Sequence, residues 1–379
     1  MMDYPYVVNY IIMLFLAYQY WKNPDPKYAT IAFILQFIFI AFRAPVVGAD
    51  TWNYVRYLTG ERNFYNYDVR DLEPGFVIYR ETLVLLRCNR FMVMVINTFM
   101  SCFPLYLLIK RYSNNPPLSL AMLSVLNFYF LYFCGLRQIL AISILIMAML
   151  YVIDNKRYKW IVYLGSSYLA WNFHTSAAIY AVIFIIAYYI VVNRIVLIAV
   201  VIVSASVGIV LQSFNVFDAF NVFLNLNVGA TERLEGYMMN EENVNEVNSI
   251  FLTLRPTIIA ILVLVLIDKE KINHWFVKLY IIGLSLANLL VSIPMVNRLT
   301  CAFVIFGAIA FSWIFGNKYL LSDKYRKFVN YMMVVFFLYF GQSLIKINLN
   351  STIDFSSDGR MHPYYFIWED YSHHPSITK

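Results

Sequence analysis

Apolar residues fill long blocks of this chain, and short polar stretches separate them. A helix of about 20 apolar residues crosses the hydrocarbon core of a bilayer. The blocks predict spans near 4–21, 28–42, 90–109, 118–134, 137–153, 160–172, 175–192, 195–212, 250–267, 276–293, 299–316 and 328–345. Several are short, and the pair within 118–153 shares a tight connection. Residues 76–89 read as an extra half-helix lying at the membrane surface. The pattern therefore predicts an all-α polytopic membrane protein with about 12 transmembrane helices. It forms one domain over 1–379, with outer loops 43–89 and 213–249 and an outer tail 346–379.

Composition agrees with that reading. Of 379 residues, 61% are hydrophobic and 13% charged, and mean hydropathy is +0.63. A soluble domain could not cover so much apolar surface. Cys88, Cys102, Cys134 and Cys301 are scattered without CxxC spacing or a histidine at metal-ligand spacing, so neither a disulfide framework nor a metal site is expected. The net charge of +7 comes from basic residues in short runs between apolar blocks, which marks topology and not nucleic-acid binding. The first block has no cationic leader or small-residue cleavage site, so it reads as a retained span.

Alternating the loops puts Lys22, Lys27, Lys110, Arg111, Lys156, Arg157, Lys159, Arg194, Lys269, Lys271, Lys318, Lys324, Arg326 and Lys327 on one side. The positive-inside rule makes that side cytoplasmic. With Lys278, the inner side carries 11 Lys and 4 Arg, and the outer side 12 Arg and 2 Lys. Charge topology does not explain why the outer cations are arginines. A guanidinium matches phosphate and carboxylate bidentately and keeps its charge in a dry site. Pairing with acids such as Asp68, Asp71 and Glu73 is the plainer use of many of them, yet the bias suggests an outward cavity for an anion.

The outer loops also hold the polar motifs. FRAPVVGADTWNYVRYL places Arg43 at the end of the second span, Gly48 at a tight turn, and Asp50 where it can cap a helix starting at Thr51. Glu73-Pro74-Gly75 is a turn, with Pro74 suited to the first turn of the half-helix and Glu73 to its dipole. GLRQ places Arg137 and Gln138 at the outer end of a span. NFHTSA places His174 between two spans with almost no loop, and PMVNR places Asn297 and Arg298 at another outer end. Arg255 lies more than a turn inside its span, followed by Pro256. Charge at membrane depth is costly and marks a functional site by default; snorkelling is the alternative for the arginines, and a carbonyl-satisfied neutral ring for His174. Trp52, Tyr54, Tyr57, Tyr364 and Tyr365 could stack on sugar rings. No P-loop, GxSxG, HExxH or DxD occurs in the loops.

In this order, Arg43, Gly48-Ala49-Asp50 with Tyr54, Glu73-Pro74-Gly75, GLRQ, FHTSA and Asn297-Arg298 resemble the EpsG-like branch of bacterial polysaccharide polymerases. These are similar in role to O-antigen polymerases (Wzy). The resemblance runs from about residue 30 to 310, with a weaker echo at His362-Pro363-Tyr364. It implies a C-type, multi-span (GT-C-like) glycosyltransferase of the bacterial cytoplasmic (inner) membrane. Such an enzyme joins oligosaccharide repeat units carried on undecaprenyl pyrophosphate, donor and acceptor both, at the periplasmic or outer face. It needs no cofactor and no metal, and a chain-length regulator is a conceivable further partner. On this reading Arg137, Arg298, Arg255 and Arg43 bind pyrophosphate. His174, Asp50 or Glu73 is the base, and Tyr54, Gln138, Asn297 and Tyr364 contact sugar. The alternatives are an O-antigen ligase and a transporter or flippase of lipid-linked oligosaccharide. A transporter would carry charge through the bilayer midplane, which here is nearly charge-free.

Overall fold

The computed structural model describes residues 4–48, 50–61, 72–125, 128–213, 250–291, 296–315 and 364–370. The chain forms two compact units, Met1–Val182 with Phe311–Lys379, and Ile183–Ala310. Among the described residues, nine helices lie wholly in the first unit: α1 (Tyr4–Lys22), α2 (Pro26–Ala41), α3 (Thr51–Leu58), α4 (Pro74–Leu85), α5 (Arg90–Tyr112), α6 (Pro116–Val125), α7 (Phe128–Cys134), α8 (Leu136–Ile153) and α9 (Lys159–Trp171). The chain passes into the second unit within α10 (Ala177–Tyr189). It continues through α11 (Arg194–Ser213), α12 (Ile250–Leu266) and α13 (Trp275–Leu289), and leaves within α14 (Val296–Phe315). Among the described residues the secondary structure is helical apart from one isolated bridge.

Each apolar block from 4–21 to 299–316 coincides with helix, and the surface half-helix is α4. The block at 118–134 is a pair, α6 and α7, where the apolar pattern predicts one span. The block at 328–345 and the loop 213–249 lie outside the described residues. Among the described residues, Arg90–Tyr112, Leu136–Ile153 and Arg194–Leu211 are each long and apolar enough to cross a bilayer, and five further apolar helices are shorter. Large apolar side chains such as Ile161, Leu164, Ile195 and Val203 stand exposed over the helix surfaces. Lipid tolerates that surface and water does not. The protein is a multi-pass membrane protein.

In the first unit α8 packs on α5 and α9, α2 on α1, α5 and α6, and α3 on α4 and α5. One buried polar pair ties α1 to α2, since an apolar medium penalises an unpaired amide: Asn9 Nδ2 donates to Gln36 Oε1 at 3.2 Å. In the second unit α11 packs on α12 and α13. There Asn288 donates to Thr257 Oγ1 at 3.0 Å and to Ser204 Oγ at 3.4 Å, while Gly208 lets the α11 backbone approach Asn288 more closely than a Cβ would permit.

The first unit has two chemically different ends. Past the C-terminus of α8, Asp154 pairs with Arg111, Tyr151 donates to Arg157 O at 2.9 Å, and Asn115 reaches Ala17 O at 2.9 Å. This end gathers the first unit's basic loops at Lys110–Arg111 and Lys156–Lys159. α8 is 18 residues long, about 27 Å at 1.5 Å per residue, and its other end carries Arg137. There the segment after α2 meets the tail: Arg43 bridges Phe366 antiparallel, Ala44 N donates to Tyr365 O at 2.7 Å, and Ile367 N to Phe42 O at 2.8 Å.

Candidate functional site

Four motifs far apart in sequence meet at the Arg137 end. Pro74 occupies the first turn of α4 and Glu73 precedes it in extended conformation, but the Glu73 carboxylate makes no cap to α4. It faces two other elements instead. Oε2 pairs with Arg137 Nη1 at 2.5 Å, the side chains being 13% and 17% exposed. Oε1 accepts from Thr175 N at 3.3 Å, in the corner between α9 and α10. Arg137 Nε donates to Tyr54 Oη at 3.1 Å, and its guanidinium lies over the rings of Tyr54 and Phe76. Tyr54 on α3, Glu73 at α4, Arg137 on α8 and the corner before α10 are thus one network.

The turn residues explain how α4 gets so close. Phe76 N donates to Asn172 O at 3.2 Å, and a Cβ on Gly75 would lie 2.8 Å from that same oxygen. Phe76 is fully buried between Tyr54, edge-on, and Tyr57, stacked. The glycine is therefore needed for contact with the histidine corner, and Phe76 locks it.

In the corner, Ser176 N donates to His174 Nδ1 at 3.2 Å, and Ser176 Oγ lies 2.7 Å from the same nitrogen. A backbone N–H can only donate, so Nδ1 is the acceptor and a neutral ring carries its proton on Nε2. Oriented this way, Nε2 donates a hydrogen bond and does not abstract a proton. Nδ1 is thus satisfied by the residue's own turn.

Asp50 stands at the N-cap position of α3, which begins at Thr51 as expected. Its backbone is α-like, with φ −102° and ψ −13°, and its side chain makes no capping bond. A capping side chain usually needs an extended backbone, which accounts for the missing cap. Asp50 is half-buried.

Arg43 is turned inward. It is 2% exposed and donates to Ile40 O at 2.6 Å, Tyr132 O at 3.1 Å and Val47 O at 3.4 Å, with Thr51 Oγ1 at 3.5 Å. Phe133 lies under the guanidinium, 4.3 Å from its centroid. Burial lowers the group to about 10, so it stays charged at neutral pH. Gly48, with φ +106°, brings the loop against Phe133, where a Cβ would collide with the carbonyl. Arg43 thereby closes the loop between α2 and α3 onto the end of α7.

Gln138 is 4% exposed and donates to Tyr180 Oη at 2.5 Å. Tyr364, at 6% exposure, donates to Phe39 O at 2.5 Å and stacks on Phe39. Both belong to the packing beneath the rim and offer no open face to a sugar. Trp52 is half-buried, with the guanidinium groups of Arg90 and Arg56 4.9 and 5.6 Å from its ring. Arg255 lies in α12, Asn297 and Arg298 in the first turn of α14; their side chains are outside the described residues. Among the described residues no group of three or more His, Cys, Asp or Glu could hold a metal ion. The residues missed from the sequence are Phe76, Asn172 and Thr175. Two act through backbone atoms, which side-chain chemistry does not reveal.

Chemically the network offers a half-buried arginine, a carboxylate and an imidazole, set at one end of a membrane-embedded helix unit. The family model for the EpsG family matches residues 27–357, and the chain belongs to that family, which is associated with exopolysaccharide biosynthesis. No curated protein and no solved structure matches the chain.

Proposed function

We propose that this protein is a polysaccharide polymerase, a metal-independent glycosyltransferase of about twelve spans and GT-C-like architecture. It transfers a growing oligosaccharide from undecaprenyl pyrophosphate to the next lipid-linked repeat unit at the outer face of the cytoplasmic membrane. The observation that carries this reading is the meeting of Tyr54, Glu73, Arg137 and the His174 corner at the end of α8 away from the lysine-rich loops. Lysine-rich loops face the cytoplasm, so that end faces outward, where lipid-linked repeat units present their sugars.

In this reaction the acceptor hydroxyl attacks the anomeric carbon, the bond from that carbon to the phosphate oxygen breaks, and undecaprenyl pyrophosphate leaves with the electron pair. The leaving group needs its charge stabilised, and preorganised donors do this in a dry site. Arg137 suits that role because Tyr54 anchors it through Nε and, among the described residues, Nη2 makes no hydrogen bond. The His174 corner adds its groups beside Arg137. Arg255 and Arg298 are further pyrophosphate-binding candidates on the sequence pattern alone. Arg43, with its donors spent on carbonyls, shapes the loop. Trp52 is the aromatic candidate for sugar stacking at the rim. The testing experiment incubates purified protein in detergent with lipid-linked repeat units. A ladder of products with released undecaprenyl pyrophosphate, formed equally well in EDTA, is the expected result. Transfer to a lipid A acceptor without a ladder would assign a ligase instead.

A further inference from the structure

The ion pair at the centre of the site poses a problem for an anion-binding arginine. Glu73 neutralises Arg137, and a carboxylate 2.5 Å from the guanidinium competes with any phosphate for the same hydrogens. Nor is Glu73 free to take a proton while both its oxygens accept hydrogen bonds, one from Arg137 and one from Thr175 N. Each partner holds the other away from its chemistry.

We propose that the Glu73–Arg137 pair is an exchange gate operated by the donor: pyrophosphate takes Arg137 from Glu73, and the released carboxylate oxygen accepts the proton of the attacking hydroxyl. The inference rests on the polymerase reading and selects the base within it. Three observations support the exchange. Arg137 remains fixed by Tyr54 through Nε and by its contact with the Tyr54 and Phe76 rings, so it can change partner at Nη1 without losing its place. Glu73 likewise keeps its anchor to Thr175 N through Oε1 while Oε2 is released. The third is the histidine, whose Nδ1 accepts from Ser176 N and whose ring therefore donates, leaving a carboxylate as the group suited to remove a proton.

The balance is complete. The hydroxyl proton goes to Glu73 Oε2, the hydroxyl oxygen bonds to the anomeric carbon, and the pyrophosphate departs with the bonding electrons, held by Arg137. No oxidant or co-reactant is needed. The gate also sets an order. Until a donor occupies Arg137 the base is masked, so an acceptor arriving first finds no activated site, and water is not activated in an empty one.

The test separates binding from turnover. Farnesyl pyrophosphate serves as a soluble-tailed probe, and its affinity for the full-length protein in detergent is measured by calorimetry beside polymer formation from lipid-linked repeat units. Glu73→Gln keeps the side chain's size and removes its charge. The gate predicts that this variant binds the probe as tightly as wild type or several-fold tighter, because a competitor has gone. Its polymer formation should fall by about 100-fold or more, the usual contribution of a general base. Weaker probe binding in Glu73→Gln would mean that the pair is a static cross-link holding Arg137 in place, and would overturn the gate, as would retained polymer formation. If Glu73→Gln is not recovered from membranes, Glu73→Asp shortens the carboxylate and loosens the pair. The gate then requires probe affinity at least equal to wild type with slower turnover, and weaker binding again overturns it. Wild-type protein that binds the probe but forms no polymer would overturn the proposed reaction and still support partner exchange at Arg137. Absence of probe binding to wild type would overturn the gate.

Discussion

Glu73 and Arg137 stand 64 positions apart in the chain and form a part-buried ion pair at the rim of the first unit. Arg137 uses its shape as well as its charge there, bonding Tyr54 through Nε and Glu73 through Nη1. A lysine ammonium is a point donor that cannot stay bonded to Tyr54 and also present a planar fork to Glu73 or to the phosphate that displaces it. Arg137→Lys should therefore lose polymer by at least about 30-fold, in line with the ~2–5 kcal/mol cost of truncating a buried charge partner. The assay is polymer formed per amount of membrane-inserted protein. Near-wild-type activity in the lysine variant would show that only charge is needed and would remove Arg137 from the clamp.

Gly75 is held by contact and not by backbone angle. A methyl group there would sit 2.8 Å from Asn172 O, and that oxygen is already the acceptor for Phe76 N. Gly75→Ala should push the start of α4 off the histidine corner and stretch the Glu73–Thr175 bond. The expected result is a loss of polymer of about 10-fold or more with inserted protein reduced far less, since a 1 Å misplacement can cost about 100-fold. Unchanged activity would show that the corner tolerates the shift.

Much of this was legible in the sequence. The apolar blocks locate the helices because lipid imposes one length and one polarity on every span. The turn chemistry of Glu73-Pro74-Gly75 places α4 correctly, and the order of the motifs identifies the family. The destinations of side chains were not legible. Gln138 sits beside Arg137 in sequence, yet one position along a helix turns a side chain by about 100°, and Gln138 points to Tyr180 inside the bundle. Tyr364 reads as a rim aromatic but is drawn in by the pairing of the tail with residues 42–44. Asp50 reads as a helix cap and is not one, because its backbone is already α-like. Sequence gives the type of group and its depth; its partner depends on which element packs opposite.

Sidedness can be checked at described positions of the first unit. Asn155 lies in the lysine-rich end and Glu369 in the tail segment docked beside Arg43. In a variant lacking the native cysteines, a single cysteine at 369 should label in intact cells with a membrane-impermeant reagent, and one at 155 should label only after permeabilisation. The reverse pattern would put the Glu73–Arg137 network on the cytoplasmic side, which the proposed reaction cannot use.

The second unit carries a pH-sensitive cap. His274 stands before α13, and its Nδ1 accepts from Phe276 N at 3.4 Å. Burial, with smaller contributions from Lys278 and Lys271, pushes it from 6.5 to about 4. The unfolded chain therefore binds the proton more readily between those values, so stability is fully present above about pH 6.5 and is lost as pH falls towards 4. The loss is at most about 3 kcal/mol. His274→Asn keeps a capping acceptor and removes the titration, so its melting temperature should fall less between pH 7 and 5 than that of wild type. Parallel curves would show that His274 is not the titrating group.

Arg43 gives the clearest separation between a structural and a ligand-binding arginine. Sequence position sets it with Arg137, Arg255 and Arg298 as a pyrophosphate ligand, but the structure commits its donors to Ile40 O, Val47 O, Tyr132 O and Thr51 Oγ1, over the face of Phe133. Those carbonyls come from the end of α2, the following loop and the end of α7, places where helices leave acceptors without an internal partner. A lysine at this position can serve one or two of the carbonyls and leaves the others buried without a donor, at about 1–3 kcal/mol each. Arg43→Lys should therefore lower the amount of inserted protein and its melting temperature, while the molecules that do fold keep most of their activity per molecule and their affinity for farnesyl pyrophosphate. Arg43→Met should be worse in yield, because it leaves every one of those acceptors unsatisfied, and should show the same separation. A pyrophosphate ligand would behave the opposite way, with normal yield, weakened probe binding and lost turnover. Measuring yield, melting temperature, probe affinity and polymer per inserted molecule on both variants decides between the two roles, and normal yield with lost binding in Arg43→Lys would return Arg43 to the clamp.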